Sequence, residues 1–196
     1  MKKTTKIAIL ISGVSIMSVF ANSYNKFSLP KTETLTFMVK PVTTKIHNIL
    51  ISNELSTLKT HTRFLHKLGH YESSNRYKSV NSLGYMGRYQ FSKATLNSLN
   101  IEVSEIQFLN NPHLQEEAMY RLLNENYKTL KKYIKKYNGK IVHGVYVTKS
   151  GILAAAHLGG AGNVSRWFRK GEDFADANGT KITKYMKIFT NYELDI

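Results

Sequence analysis

Residues 151–158 read Gly-Ile-Leu-Ala-Ala-Ala-His-Leu, small or apolar on every side of a helix. Such a segment belongs at the centre of a domain, with other elements packed around it. Gly159, Gly160 and Gly162 then break the run, and helical spacing resumes with Val164, Trp167 and Phe168. The chain also contains helices fit to surround that centre. Leu58, Leu65, Leu68 and Glu72 fall at i, i+7, i+10 and i+14, with Phe64 and Tyr71 beside them. This spacing predicts a helix from about residue 53 that ends with Glu72 on or near its buried face. Asn110-Asn111-Pro112 opens a longer helix, striped by Met119, Leu122, Leu123, Tyr127, Leu130, Ile134 and Tyr137, and Asn138-Gly139 closes it. A short helix is expected at residues 92–99. After a turn at residues 176–180, a last helix carries Ile182, Tyr185, Met186 and Phe189. Residues 76–90, with Gly84 and Gly87 among β-forming residues, predict a loop or small β-hairpin. The expected class is mainly α, an α+β domain with a small β-hairpin after the first core helix.

The start of the chain has a different character. Lys2, Lys3 and Lys6 precede an uncharged apolar run at residues 7–20, and Ala21 supplies a small residue for cleavage. Residues 1–21 therefore read as a secretory signal peptide, too short in its apolar part to span a bilayer as a helix. That predicts export to the periplasm or the extracellular space, with no stable membrane span once the leader is cleaved. Residues 22–52, with Pro30 and Pro41 and no clear period, read as an N-terminal arm, and residues 53–196 as the globular domain. With no cysteine in the chain, an exported domain relies on its core rather than on disulfides. The formal charge is +15, and loss of Lys2, Lys3 and Lys6 with the leader leaves three fewer, +12. Such a charge attracts polyanions; outside the inner membrane these are wall glycan bearing peptide carboxylates, teichoic acids and lipid headgroups.

The chemistry-bearing candidate is the lone carboxyl of Glu72, at the end of an apolar helix face and before a glycine-punctuated turn. Apolar neighbours strip water from a carboxyl and favour its neutral form. A general acid needs that property near neutral pH. Periodicity alone leaves open a second reading, a water-exposed glutamate at a helix end.

The residues around Glu72 resemble the catalytic region of soluble lytic transglycosylases and goose-type lysozymes. Those families carry Glu-Ser followed by Gly-Ala-x-Gly-Leu-Met-Gln. Here Glu72-Ser73 matches the pair, and Gly84, Gly87 and Gln90 match the glycines and glutamine without a gap. A second family block, Ala-Tyr-Asn-Ala-Gly-Pro-Gly followed by Val and Trp, has its counterpart in residues 156–162 with Val164 and Trp167. Tyr185 stands where the family has a tyrosine in the last helix. The three blocks keep family order over roughly residues 58–190. Departures are Arg88-Tyr89 for Leu-Met, His157-Leu158 for Tyr-Asn, and Asn81 for a loop serine, which makes the chain a divergent relative.

What the resemblance implies is a lysozyme-like fold and cleavage of the β-1,4 bond between N-acetylmuramic acid and N-acetylglucosamine in peptidoglycan glycan strands. Glu72 would be the catalytic acid. Ser73, Asn81, Gly84, Tyr85, Tyr89, Gln90, His157, Gly160 and Tyr185 would bind substrate. Several of these have structural alternatives: turn stabilisation for Asn81 and Gln90, packing for His157, and a core position for Tyr185. Two-carboxylate glycosidases use a second Asp or Glu, and none occurs from Ser73 to Ile101. That absence favours the transglycosylase route to a 1,6-anhydro product over hydrolysis by water. Asp173 and Asp176 are the candidates for a second carboxylate, with turn roles favoured for both.

Other classes fit less well. His66 and His70 lie at i, i+4, but Lys67 occupies the position where a zincin needs glutamate. Asp173, Asp176 and Asn178 lack the glutamate that completes a calcium loop. No metal and no cofactor is expected. Charge alone suggests nucleic acid, and the leader argues against it. A non-catalytic wall-binding protein that keeps the fold is the remaining alternative, and the sequence names no protein partner.

Overall fold

A computed structural model describes residues 41–196; the expected signal peptide and the arm up to residue 40 lie outside the described residues. Six helices and one two-stranded ribbon make up the described chain: α1 (Pro41–Ser73), α2 (Lys93–Ser98), α3 (Glu105–Leu109), α4 (Pro112–Tyr137), β1 (Lys140–Val142), β2 (Val145–Val147), α5 (Lys149–Lys170) and α6 (Ile182–Ile188). The fold is mainly α with a small antiparallel β element, and no helix among the described residues is long and apolar enough to cross a membrane.

Helix α5 is the centre. Ile152 to Ala156 are buried without exception, and α4 and α6 pack against the same helix. Thr148 caps its start by accepting a hydrogen bond from Gly151 N, and Gly171 ends it at φ 73°. Gly160, at φ 79° and ψ 150°, bends it in the middle. Helix α4 starts as its sequence directs, with Asn111 accepting from Leu114 N and Pro112 in the first turn. Its buried stripe includes Met119, Leu123, Leu130 and Ile134.

One expectation needs correction, and the expected β element is divided between two places. The first helix begins at Pro41, so the expected boundary between arm and domain at residue 53 falls inside α1. Within that helix Phe64 and Leu68 are fully buried, but Leu58 is 56 % exposed. Among the described residues nothing covers Leu58, even though its spacing fits the buried face. The β content also falls in two places. The named ribbon, β1–β2, follows α4 rather than α1, joined by His143 and Gly144 at φ 47° and 75°. Positive φ at both turn residues suits the twist of a tight hairpin. After α1 the chain makes isolated antiparallel bridges, Val80 with Met86 and Met86 with Phe91, and these fold residues 80–91 back on themselves.

Candidate active site

The site is built where α1 stops. Ser74 and Asn75 both adopt left-handed backbone, φ 56° and 60°, and their N–H groups return to the carbonyls of His70 and Gly69. The turn is locked from below. Ser73 is 6 % exposed; its hydroxyl donates to Arg88 O at 2.8 Å and accepts from Arg76 N at 3.0 Å. The expectation that Ser73 binds substrate is therefore corrected: the hydroxyl is consumed in fastening the end of α1 to the 84–90 turn.

Tyr89 is likewise moved from substrate to framework. It is fully buried, and its phenol donates to Glu116 Oε2 at 2.7 Å. Glu116 Oε1 also accepts from Tyr77 OH and from Arg88 Nη1, each at 2.7 Å, while Arg88 Nε donates to Asn75 Oδ1 at 2.9 Å. Burial first, and the Glu116 carboxylate second, push the Tyr89 phenol well above its ordinary range, so it stays a donor. The buried Gln115 completes the brace, accepting from Arg88 N and donating to the carbonyls of Tyr77 and Phe108. Arg88 and Tyr89 thus anchor the turn to α4 through polar groups.

Above this brace lies a groove of about 220 Å³. Glu72 sits in it with its side chain 14 % exposed. Tyr185, on α6, donates its phenol proton to Glu72 Oε1 at 2.7 Å. His157, on α5, brings Nε2 to 3.7 Å from the same oxygen and is 6 % exposed. Burial lowers the His157 pKa, outweighing the Glu72 carboxylate and the Tyr89 carbonyl, which raise it. The imidazole is thus neutral near pH 7, and the 3.7 Å approach is a neutral ring beside a carboxyl rather than an ion pair. Its buried Nδ1 has no hydrogen-bond partner of good geometry, and the ring rests edge-on against Phe91, centroids 6.1 Å apart. Tyr185 is held high by burial first, then by the Glu72 charge, so its proton stays on the phenol.

One wall of the groove comes from the turn after α1: Asn81, Leu83, Tyr85 and Gln90. Asn81 Oδ1 accepts from Leu83 N and Tyr85 N, shaping the turn, and its amide nitrogen is not used in doing so. Gln90, at φ 52°, donates to Gly87 O at 2.9 Å. Facing them are Asp176, Ala177, Asn178 and Thr180. Asp176 Oδ1 accepts from Asn178 N at 3.0 Å and Thr180 N at 2.7 Å, a turn role. Asp173 is spent on Thr183, accepting from its hydroxyl at 2.6 Å.

Of the expected site residues, Glu72, Asn81, Tyr85, Gln90, His157 and Tyr185 share this groove. Gly84, φ 77°, forms the tip of the Asn81 turn without bordering the groove. Gly160 does not border it either and serves as the bend in α5. Of the opposing wall the sequence offers only Asp176, as a candidate second carboxylate with a turn role favoured, and not Ala177, Asn178 or Thr180 as groove residues. Residues 176–180 are legible as a turn, but nothing local in the sequence aims that turn at Glu72. No family model, no curated protein and no solved structure matches this chain.

Proposed function

We propose that this protein is a peptidoglycan lytic transglycosylase of the lysozyme-like kind, cutting the β-1,4 bond between N-acetylmuramic acid and N-acetylglucosamine with Glu72 as acid and then base. The observation that carries this reading is the setting of Glu72: a nearly buried carboxyl inside a groove, hydrogen-bonded by Tyr185, beside a neutral histidine, between two polar walls. Glu72 in its protonated form gives the proton to the glycosidic oxygen as the C1–O bond breaks. The sugar's own N-acetyl oxygen covers C1 through the oxocarbenium-like stage. The C6 hydroxyl then attacks C1 and returns its proton to Glu72, so no water is consumed and a 1,6-anhydro end results. Tyr185 fixes the carboxyl's position through Oε1. A neutral His157 adds bulk behind the carboxyl without placing a cation there.

Hydrolysis of the same bond has one observation in its favour, the presence of Asp176 in the opposing wall. Its Oδ1 is occupied by two backbone donors, which favours a turn role over activation of water.

The test is clearance of a peptidoglycan suspension by the wild-type protein and by Glu72→Gln, with mass spectrometry of the released fragments. Clearance by the wild type alone, with ends one water lighter than hydrolysed ends, is the expected result. Ends of hydrolysed mass would replace transglycosylation by muramidase action. If neither protein clears the suspension while both pellet with the wall, the fold serves binding and the enzymatic reading is wrong. Function in the periplasm or outside the cell belongs to the same proposal and rests on the apolar leader at residues 7–20.

A further inference from the structure

We propose that the second half of α4 and the β1–β2 ribbon form a docking surface for an anionic lipid membrane. Between Glu125 and Glu172 the chain has no Asp or Glu but ten lysines and arginines. Four of them, Lys131, Lys132, Lys135 and Lys136, lie on α4 and are exposed, while Leu130, Tyr133 and Ile134 of the same turns are buried. At 100° per residue the four ammonium groups share the solvent side of the helix. None of the four takes part in an ion pair among the described residues. Lys131 with Lys135, and Lys132 with Lys136, are like charges at i, i+4, an arrangement that costs helix stability unless an anion lies against it.

Two of these lysines are held in place. Lys132 Nζ sits 5.0 Å from the Tyr133 ring centre and Lys136 Nζ 4.9 Å from that of Tyr137. Both rings stack on Phe168, at 4.7 and 5.2 Å. An aromatic shelf thus presents the charges with part of their side-chain freedom already lost.

The kind of anion follows from what comes next in the chain. Ile141 is 73 % exposed and its cross-strand partner Tyr146 is 48 % exposed, whereas Val145 and Val147 turn into the core. An exposed branched aliphatic and an exposed tyrosine on one outward face follow directly on the lysine bank. A headgroup layer uses both features: phosphates for the lysines, and the boundary with the acyl chains for Ile141 and Tyr146. A linear soluble polyanion uses the charges and leaves the apolar pair in water. This inference is independent of what Glu72 does.

The test is co-sedimentation of the full chain with vesicles of phosphatidylcholine alone and with phosphatidylglycerol added, at 0.1 M salt. The neutral vesicles give the background from the rest of the chain. Roughly 1 kcal/mol per lysine near an anionic surface, about fivefold each, makes the joint change of Lys131, Lys132, Lys135 and Lys136 to Gln lower the anionic-vesicle affinity at least twentyfold. Changing Lys59, Lys78, Lys93 and Lys184 to Gln removes the same charge from scattered sites and lowers it less than fivefold. Ile141→Ser with Tyr146→Ser, at unchanged charge, lowers it about tenfold. Equal losses in the two quadruple variants overturn the proposal, as does an inert double serine variant. So does soluble polyphosphate that binds as tightly as the vesicles, since the partner would then be a linear polyanion. Circular dichroism confirms that each variant is folded before it is compared.

Discussion

The Tyr185 phenol and Glu72 Oε1 lie 2.7 Å apart, and this bond joins α6 to the end of α1. Tyr185→Phe removes it and keeps the ring that packs at 5.3 Å on Phe189. Hydrogen bonds to charged groups contribute about 1.5–3 kcal/mol. Wall-clearing activity is expected to fall by roughly 10- to 100-fold, since each 1.36 kcal/mol is tenfold in rate. The thermal midpoint should move by only a few degrees. A variant that retains full activity would remove Tyr185 from the site; one that unfolds would make it a core residue first.

His157 makes the fold sensitive to acid in a defined direction. Its folded-state pKa is lowered, chiefly by burial, so the unfolded chain takes up a proton more readily than the native one as pH falls below 6.5. Stability is complete above the unfolded value and declines as pH drops toward the folded one. The slope attributable to His157 is at most about 1.4 kcal/mol per pH unit. His61 is lowered as well, again mainly by burial, so wild-type behaviour mixes two residues. Urea unfolding of wild type and His157→Gln at pH 7.5 and 5.5 separates them: the variant should lose less stability on acidification. Equal losses would mean that the ring is hydrated and titrates normally in the native state.

The two leucines of α1 that share a helical face make the clearest contrast with what periodicity predicts. Leu68 is fully buried and Leu58 is 56 % exposed. Leu68→Ala should cost about 2–5 kcal/mol, in the range for core truncations, and Leu58→Ala less than about 0.5 kcal/mol. Chemical denaturation of the two variants measures both. Near-equal costs would place Leu58 under a covering that the described residues do not provide.

That contrast shows what could be read from the sequence. Spacing identifies α1, α2, α4, α5 and α6 but not α3, which is five residues long and buries only Phe108; the all-apolar stretch before His157 marks α5 as the centre. Spacing could not tell where the core ends, because Leu58 and Leu68 obey the same period. The β1–β2 ribbon was missed despite a usable signal, the β-branched and aromatic residues flanking His143-Gly144. At the site, the motif positions Glu72, His157 and Tyr185 share one groove. Ser73 and Tyr89 do not border that groove, since a motif does not say which side of the turn a side chain occupies. Both point into the brace made by Arg88, Gln115 and Glu116. Asp176 and Asn178 complete the groove through long-range packing of the 176–180 turn, which no local pattern encodes.

Gly84 and Gly87 share a backbone angle, φ 77° for each, but not a setting. A methyl group at Gly84 would meet nothing within 4 Å, whereas at Gly87 it would lie 2.2 Å from Gln115 Oε1. Gln115 cannot swing away without giving up its bonds to Arg88 N, Tyr77 O and Phe108 O. Gly84→Ala should therefore cost only the left-handed backbone penalty, about 1–2 kcal/mol. Gly87→Ala adds the loss of a buried amide's partners, about 1–3 kcal/mol more, and disturbs the wall that carries Gln90. Thermal unfolding should rank wild type above Gly84→Ala and Gly84→Ala well above Gly87→Ala, with activity lost chiefly in the last. If the two variants melt together, the Gln115 brace is soft, and the turn owes its shape to the Asn81 hydrogen bonds instead.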